Sequence, residues 1–164
     1  MVAPSKPKAT LEDVPLVREF LDDHRKMSQL MLHVVVSLEI GNLDEATAAA
    51  EKLDQIAGPH IAFEETELYP RISGEKLISD TTRQLYDEHR EALMALKALL
   101  DDPQPDEEQL AKILGGLKTG VRHAEHCGSM VSLLAALPEP EQSDSLARLL
   151  ELRREGKPWT DRIR

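Results

Sequence analysis

His60 and Glu64 stand four residues apart, a spacing that puts both side chains on one face of a helix. An imidazole and a carboxylate on one face can bind a single transition-metal ion or open a two-metal site. Taken alone, such a pair is more often a solvated surface pair. The other histidines change its weight. His24, His60, His89 and His123 fall one to a helix on four successive predicted helices. Helix bundles build central metal sites from side chains that converge on the core in this way. His33 stands outside the set: nine residues after His24, it faces the opposite side of the same helix.

The fourth helix carries a second group. His123, His126, Cys127 and Met130 lie along one stripe, and three of these residues can ligate a soft or borderline metal. The plainer role is also open, with both histidines at the surface and Cys127 and Met130 filling the core.

The elements that must position these residues are helical throughout. Apolar residues recur at helical spacing, and no segment alternates with a period of two for long enough to be a strand. A first helix begins between Thr10 and Leu16, with Glu12 and Asp13 at its positive end, and stops at Gly41-Asn42. A second runs from about 43 to 71. Gly58-Pro59 predicts a break or kink in it just before His60, and Pro70 and Gly74 close it. A third runs from 76 or 80 to 100 and meets the stop Asp101-Asp102-Pro103-Gln104-Pro105. A fourth runs from near 106 to Pro138, and a shorter amphipathic piece covers about 141–154. The intervals from His24 to His60 and from His89 to His123 are 36 and 34 residues, which hints at two helical hairpins, each aiming two histidines inward. The expected fold class is all-α: an up-down antiparallel four-helix bundle over 11–138, a flexible N-terminal arm over 1–10, and a short C-terminal helix and tail over 139–164.

Composition narrows the function classes. At 164 residues the chain can bury the core of one domain. Aromatics are only 3%, so Leu, Ala, Val and Ile must fill that core, which suits packed helices. A net charge of −10 argues against nucleic-acid and anionic-membrane partners, which require a basic surface. The apolar runs are too short to cross a bilayer, and the N-terminus lacks the apolar core of a signal peptide. Cys127 is the only cysteine, so no intramolecular disulfide forms and a reducing compartment fits. The expected location is cytoplasmic. No dinucleotide fingerprint, phosphate loop or nucleophile elbow is present.

Taken together, His24, the run His60-x-x-x-Glu64-Glu65-x-x-Leu68-Tyr69-Pro70, the Tyr86-Asp87-Glu88-His89 setting and the His123 stripe resemble the hemerythrin-like (HHE cation-binding) family over roughly residues 11–138. The terminal Pro158-Trp159-Thr160 is similar to the tail of many members. The resemblance implies an up-down four-helix bundle around a non-haem di-iron centre, with His24, His60, Glu64, His89 and His123 as ligands. The chain departs from the family pattern twice. Where a fourth-helix carboxylate is expected after the histidine, it has Cys127 and Gly128. Where oxygen carriers have a second histidine on the third helix, it has Leu93. The first departure removes a bridging carboxylate, and buried metal charge needs anionic compensation. Cys127 as thiolate, another acid or an exogenous ligand could supply it, with His126 as a substitute donor, or the centre holds one ion. The second departure counts against reversible oxygen carriage. A ferritin-like site would need Glu-x-x-His, yet the residues three before His24, His60, His89, His123 and His126 are Leu21, Ala57, Tyr86, Gly120 and His123.

The expected function is therefore a non-haem iron protein, with two ions ahead of one and zinc or another divalent transition metal as the substitute. It would bind or react with O2, NO or peroxide in sensing or stress response. The expected metal residues are His24, His60, Glu64, His89, His123 and His126, with Cys127 as a thiolate ligand or redox residue. Whether it is an enzyme, and any partner protein, stay open. The alternative is a helical regulatory or interaction protein whose metal site is altered or lost. Its basic C-terminal segment, with Arg148, Arg153, Arg154, Arg162 and Arg164, would dock a partner or fold back on the acidic bundle.

Overall fold

The computed structural model describes residues 10–72, 76–128 and 130–162, so the N-terminal arm, apart from Thr10, lies outside the described residues. Among those described there is no strand. The helices are α1 (Pro15–Glu39), α2 (Leu43–Phe63), α3 (Tyr69–Ile72), α4 (Lys76–Asp101), α5 (Glu107–Gly128), α6 (Val131–Ala135) and α7 (Glu139–Glu155). A π-helical turn, Glu64–Leu68, joins α2 to α3, and 3-10 turns lie at Leu11–Asp13 and Trp159–Arg162.

Helices α1, α2, α4 and α5 form the bundle. The main contacts are α1 with α2 and α4 with α5, while α1 also meets α5 and α2 meets α4, closing the ring. Short connections make sequential helices antiparallel. Between α1 and α2 the chain turns at Gly41, whose φ of 75° is open to glycine at little cost. Asn42 then caps α2 by accepting from the Glu45 N–H at 3.3 Å.

The core falls into two apolar clusters. One holds Val34, Leu38, Leu53, Leu96, Leu99 and Leu117. The other holds Leu16, Phe20, Phe63, Tyr69, Leu134 and Leu149. On each bundle helix the histidine falls between the parts that feed the two clusters: His24 between Phe20 and Met27, His89 between Leu85 and Ala92, and His123 between Leu117 and Cys127. On α2, His60 and Glu64 straddle the changeover from Ile61 to Ala62 and Phe63. A polar layer is thus sandwiched between two apolar clusters, where each buried polar group needs a partner.

Two boundaries differ from those expected. Gly58-Pro59 does not break α2, which runs unbroken from Leu43 to Phe63 with Pro59 inside it. Gly58 has another purpose: the tail crosses it so closely that a Cβ would lie 2.1 Å from the Lys157 carbonyl oxygen. The irregularity comes one turn later, in the π turn that starts at Glu64. The fourth helix does not reach Pro138. It stops at Gly128, and α6 follows as a separate short element before Pro138 caps α7.

The C-terminal segment folds back on the bundle. α7 packs on α2 and α1, and the Trp159 turn packs on α2 and α4. Arg153 donates to Glu19 at 2.6 Å and to Asp23 at 2.8 Å. Thr160 donates from its backbone N–H and its hydroxyl to Asp54, both at 2.8 Å. Among the described residues, no helix is long and apolar enough to cross a membrane.

Candidate metal centre

Glu64 is fully buried, and four histidines from four helices surround it. Its Oε1 faces His60 Nε2 at 3.2 Å and His24 Nε2 at 3.7 Å. Its Oε2 faces His89 Nε2 at 3.0 Å and His123 Nε2 at 3.9 Å. Two potential metal-holding sets result, His24–His60–Glu64 and Glu64–His89–His123, sharing the carboxylate. The donor atoms of each set lie within 4.8 Å of one another.

Carboxylates behind the rings fix their orientation. His60 Nδ1 lies 3.4 Å from Asp23 Oδ2, His89 Nδ1 lies 2.9 Å from Glu65 Oε1, and His123 Nδ1 lies 2.9 Å from Glu88 Oε2. A carboxylate on Nδ1 holds a proton there, so that once a metal displaces the inner proton the Nε2 lone pair would face the centre, as metal-binding histidines require. The arrangement repeats. Asp23 precedes His24 but serves His60 on the hairpin partner, and Glu88 precedes His89 but serves His123 on its partner. At the π turn the adjacent acids separate, with Glu64 pointing to the centre and Glu65 to the outer side of His89. His24 is the exception, because its buried Nδ1 has no partner. Its ring is held by packing instead: Phe20 lies tilted against both His24 and His60, with centroids 4.7 Å apart in each case.

The cluster is electrostatically coupled. Burial would raise the Glu64 pKa, but the His60 charge and hydrogen bonds from His123, His60 and His89 hold it well below its usual range. Burial works against a charge on His60 too, yet Glu64 and Asp23 lift its pKa to about 9. Burial and the neighbouring His60 charge push His24 down to about 4, with Glu64 opposing. His89 is raised, because Glu64 and Glu65 outweigh its burial. A cation on His60 therefore balances the buried carboxylate, in the place where a metal ion would.

Two residues complete the inner layer. Cys127 is buried, and its thiol donates to Glu64 Oε1 at 2.7 Å. Burial and the Glu64 charge push its pKa up, which favours the neutral thiol. The Tyr69 hydroxyl sits 3.3 Å from Glu64 Oε2, 3.2 Å from His89 Nε2, 3.4 Å from His123 Nε2 and 3.7 Å from Cys127 Sγ.

The structure brings His24, His60, Glu64, His89 and His123 together, with Cys127 against them. It does not bring in His126. That side chain is exposed and lies outside both sets, because the buried face of α5 runs through Gly116, Gly120, His123 and Cys127 and turns His126 away. His33 is exposed and pairs with Glu45 at 3.1 Å. Sequence reasoning missed Tyr69 as a member of the centre, and missed Asp23, Glu65 and Glu88 as orienting groups. An available signal was the acid directly before His24 and His89.

Four desolvated imidazoles, three of them oriented from behind by carboxylates, and one buried carboxylate are a donor set that fits transition-metal ions such as iron, zinc, copper or nickel. The family model described as the hemerythrin HHE cation binding domain matches residues 16–137. Comparisons with curated proteins and with solved structures return no match. The matched span holds all four helices of the bundle and both His/Glu sets, and the chain belongs to the hemerythrin HHE cation binding domain family.

Proposed function

We propose that the protein is a non-haem iron protein that holds two ions on either side of Glu64 and binds or reacts with dioxygen, nitric oxide or peroxide. His24, His60 and Glu64 would hold one ion, and Glu64, His89 and His123 would hold the other. The observation that carries this is the division of Glu64 between two histidine pairs, since a carboxylate serving one ion would not need donors facing both of its oxygens.

Bound iron supplies Lewis-acid and redox chemistry towards a small ligand. The chain's own residues set the conditions for it. Glu64 provides the only carboxylate in the two sets, so the centre carries less anionic compensation than one with a second bridging acid. Asp23, Glu65 and Glu88 strengthen three imidazoles as donors and share the cationic charge. Three protein donors per ion leave coordination positions for an exogenous ligand. A cavity of about 20 Å³ lies against the centre, walled by His24, Met27, Met31, His89, His123 and Trp159. His24, Glu64, His89 and His123 themselves line it, so this is the space the ions would take, with an exogenous ligand entering beside them.

Metal-stripped protein loaded with ferrous iron under anaerobic conditions, desalted and analysed for metal, tests this. Two irons per chain, with a near-ultraviolet band after oxidation, are expected. One iron per chain contradicts the two-ion centre. None contradicts metal binding and favours a helical interaction protein that has lost its metal.

A further inference from the structure

The wall between the metal centre and the surface is partly built by a residue outside the family match. Trp159 belongs to the 3-10 turn Trp159–Arg162, beyond the matched residues 16–137. It is 3% exposed, and its ring stands edge-on to His89 with centroids 6.3 Å apart. On its inner side it lines the 20 Å³ cavity at the centre. On its outer side it lines a surface cleft of about 570 Å³, together with Tyr86, Leu93 and Arg162. Among the described residues, only Ile61, His89 and Trp159 line both spaces. Ile61 and His89 are fixed on bundle helices. Trp159 alone of the three arrives from the tail.

The tail is seated to hold it there. The backbone from Lys157 to Trp159 lies directly on Gly58, where a Cβ would come within 2.8 Å of the Trp159 nitrogen. Asp54 accepts two hydrogen bonds from Thr160, the next residue. On the α1–α5 side Met31 fills the space at Gly120, where a Cβ would lie 2.5 Å from its Sδ, and half-buried Ser28 and Ala124 line the edge of the cavity.

We propose that Trp159 is a specificity-determining residue of the centre: its indole separates the inner cavity from the cleft, so that ligands of diatomic or peroxide size pass and bulkier ones do not. This rests on the metal-binding function proposed above. The physical argument is one of volume. The inner space is about 20 Å³ and the outer about 570 Å³, and one side chain not anchored in the bundle stands between them.

The test compares iron-loaded wild type with Trp159→Ala and Trp159→Leu, after circular dichroism and iron content show that each is folded and loaded. Leu keeps an apolar plug on the tail if Ala undocks the turn. Azide binding to the ferric protein is followed by stopped-flow absorbance. Oxidation of the ferrous protein is followed with hydrogen peroxide and, separately, with tert-butyl hydroperoxide. In the variants, azide should bind roughly ten-fold faster or more with little change in affinity, because opening a path speeds entry and exit alike. The rate ratio of hydrogen peroxide to tert-butyl hydroperoxide should be large in wild type and collapse in the variants. Unchanged azide rates and an unchanged ratio in both loaded variants would overturn the role of Trp159 while leaving metal binding intact. A wild-type protein that takes up no iron would overturn both.

Discussion

The Cys127 thiol donates to Glu64 Oε1 over 2.7 Å. The residue that stands where a second carboxylate is expected therefore supports the one carboxylate that remains. As a neutral donor it fixes the rotation of the Glu64 carboxylate, which sets the direction of each oxygen towards its histidine pair. Cys127→Ser keeps a donor of similar size and should retain metal and spectrum. Cys127→Ala removes the donor and should lower metal affinity several-fold. His126→Ala should change neither, because His126 is exposed outside both sets. Metal analysis and absorbance check all three. Loss of a visible band in Cys127→Ser would instead make the sulfur a ligand.

Arg153 links α7 to the centre, donating to Asp23 at 2.8 Å while Asp23 faces His60 Nδ1 at 3.4 Å. Arg153→Ala frees Asp23 and removes the Glu19 contact. Arg153 is partly solvated, so the expected loss of stability in the metal-free protein is about 1 kcal/mol. Metal affinity should fall by about ten-fold, the usual order for losing a group that orients a ligand. Thermal melts with and without metal measure both effects, and Arg153→Lys should restore part of each.

The metal-free protein should be most stable near neutral pH. His60, raised from 6.5 to about 9, binds its proton more tightly folded than unfolded. Its contribution is complete below about 6.5 and is lost as pH rises through 9. His24, lowered to about 4, has the opposite sign. Its contribution is complete above about 6.5 and is lost as pH falls towards 4. Denaturant melts across pH 4–10 should show a maximum near pH 6.5–7, with roughly 1–3 kcal/mol lost on each side. A curve that keeps rising above pH 9 would contradict the His60 assignment.

Metal loading should release protons. At pH 7 His60 carries one that a metal must displace, so affinity should rise between pH 7 and 9. Acidification below about pH 6 should begin to strip the metal as protons compete for imidazole. A pH-indicator dye in weak buffer reads the release during titration. Full metal at pH 3 would argue against a centre built mainly of histidines.

Single histidine variants should separate the buried centre from the surface. His60→Ala or His89→Ala should lose metal together with the stabilisation that metal gives. His33→Ala should do neither, because His33 is exposed and paired with Glu45. Metal content and melting temperature decide it.

The helical periods, the one-histidine-per-helix pattern and the His60–Glu64 spacing were legible because helix geometry is local: residues four apart share a face whatever the rest of the fold does. What sequence could not supply was set by distant packing. Gly58-Pro59 reads as a break, yet the tail closing on Gly58 makes it a crossing point inside a continuous helix. His126 shares a broad stripe with His123 and Cys127, but only the packed bundle shows that the buried face turns away from it. Tyr69 stood in the motif as a pattern residue, and the π turn at Glu64–Leu68, invisible to a 3.6-residue period, accompanies its placement at the centre. The orienting roles of Asp23 and Glu88 cross between helices, so spacing along one helix could not reveal them.

The most direct test is a crystal structure of the iron-loaded protein with anomalous scattering measured across the iron edge. Two peaks are predicted, one beside His24 and His60 and one beside His89 and His123, with the Glu64 carboxylate between them. A single peak would contradict the two-ion centre, and no peak beside Glu64, or peaks only at surface histidines such as His33 and His126, would contradict the site itself.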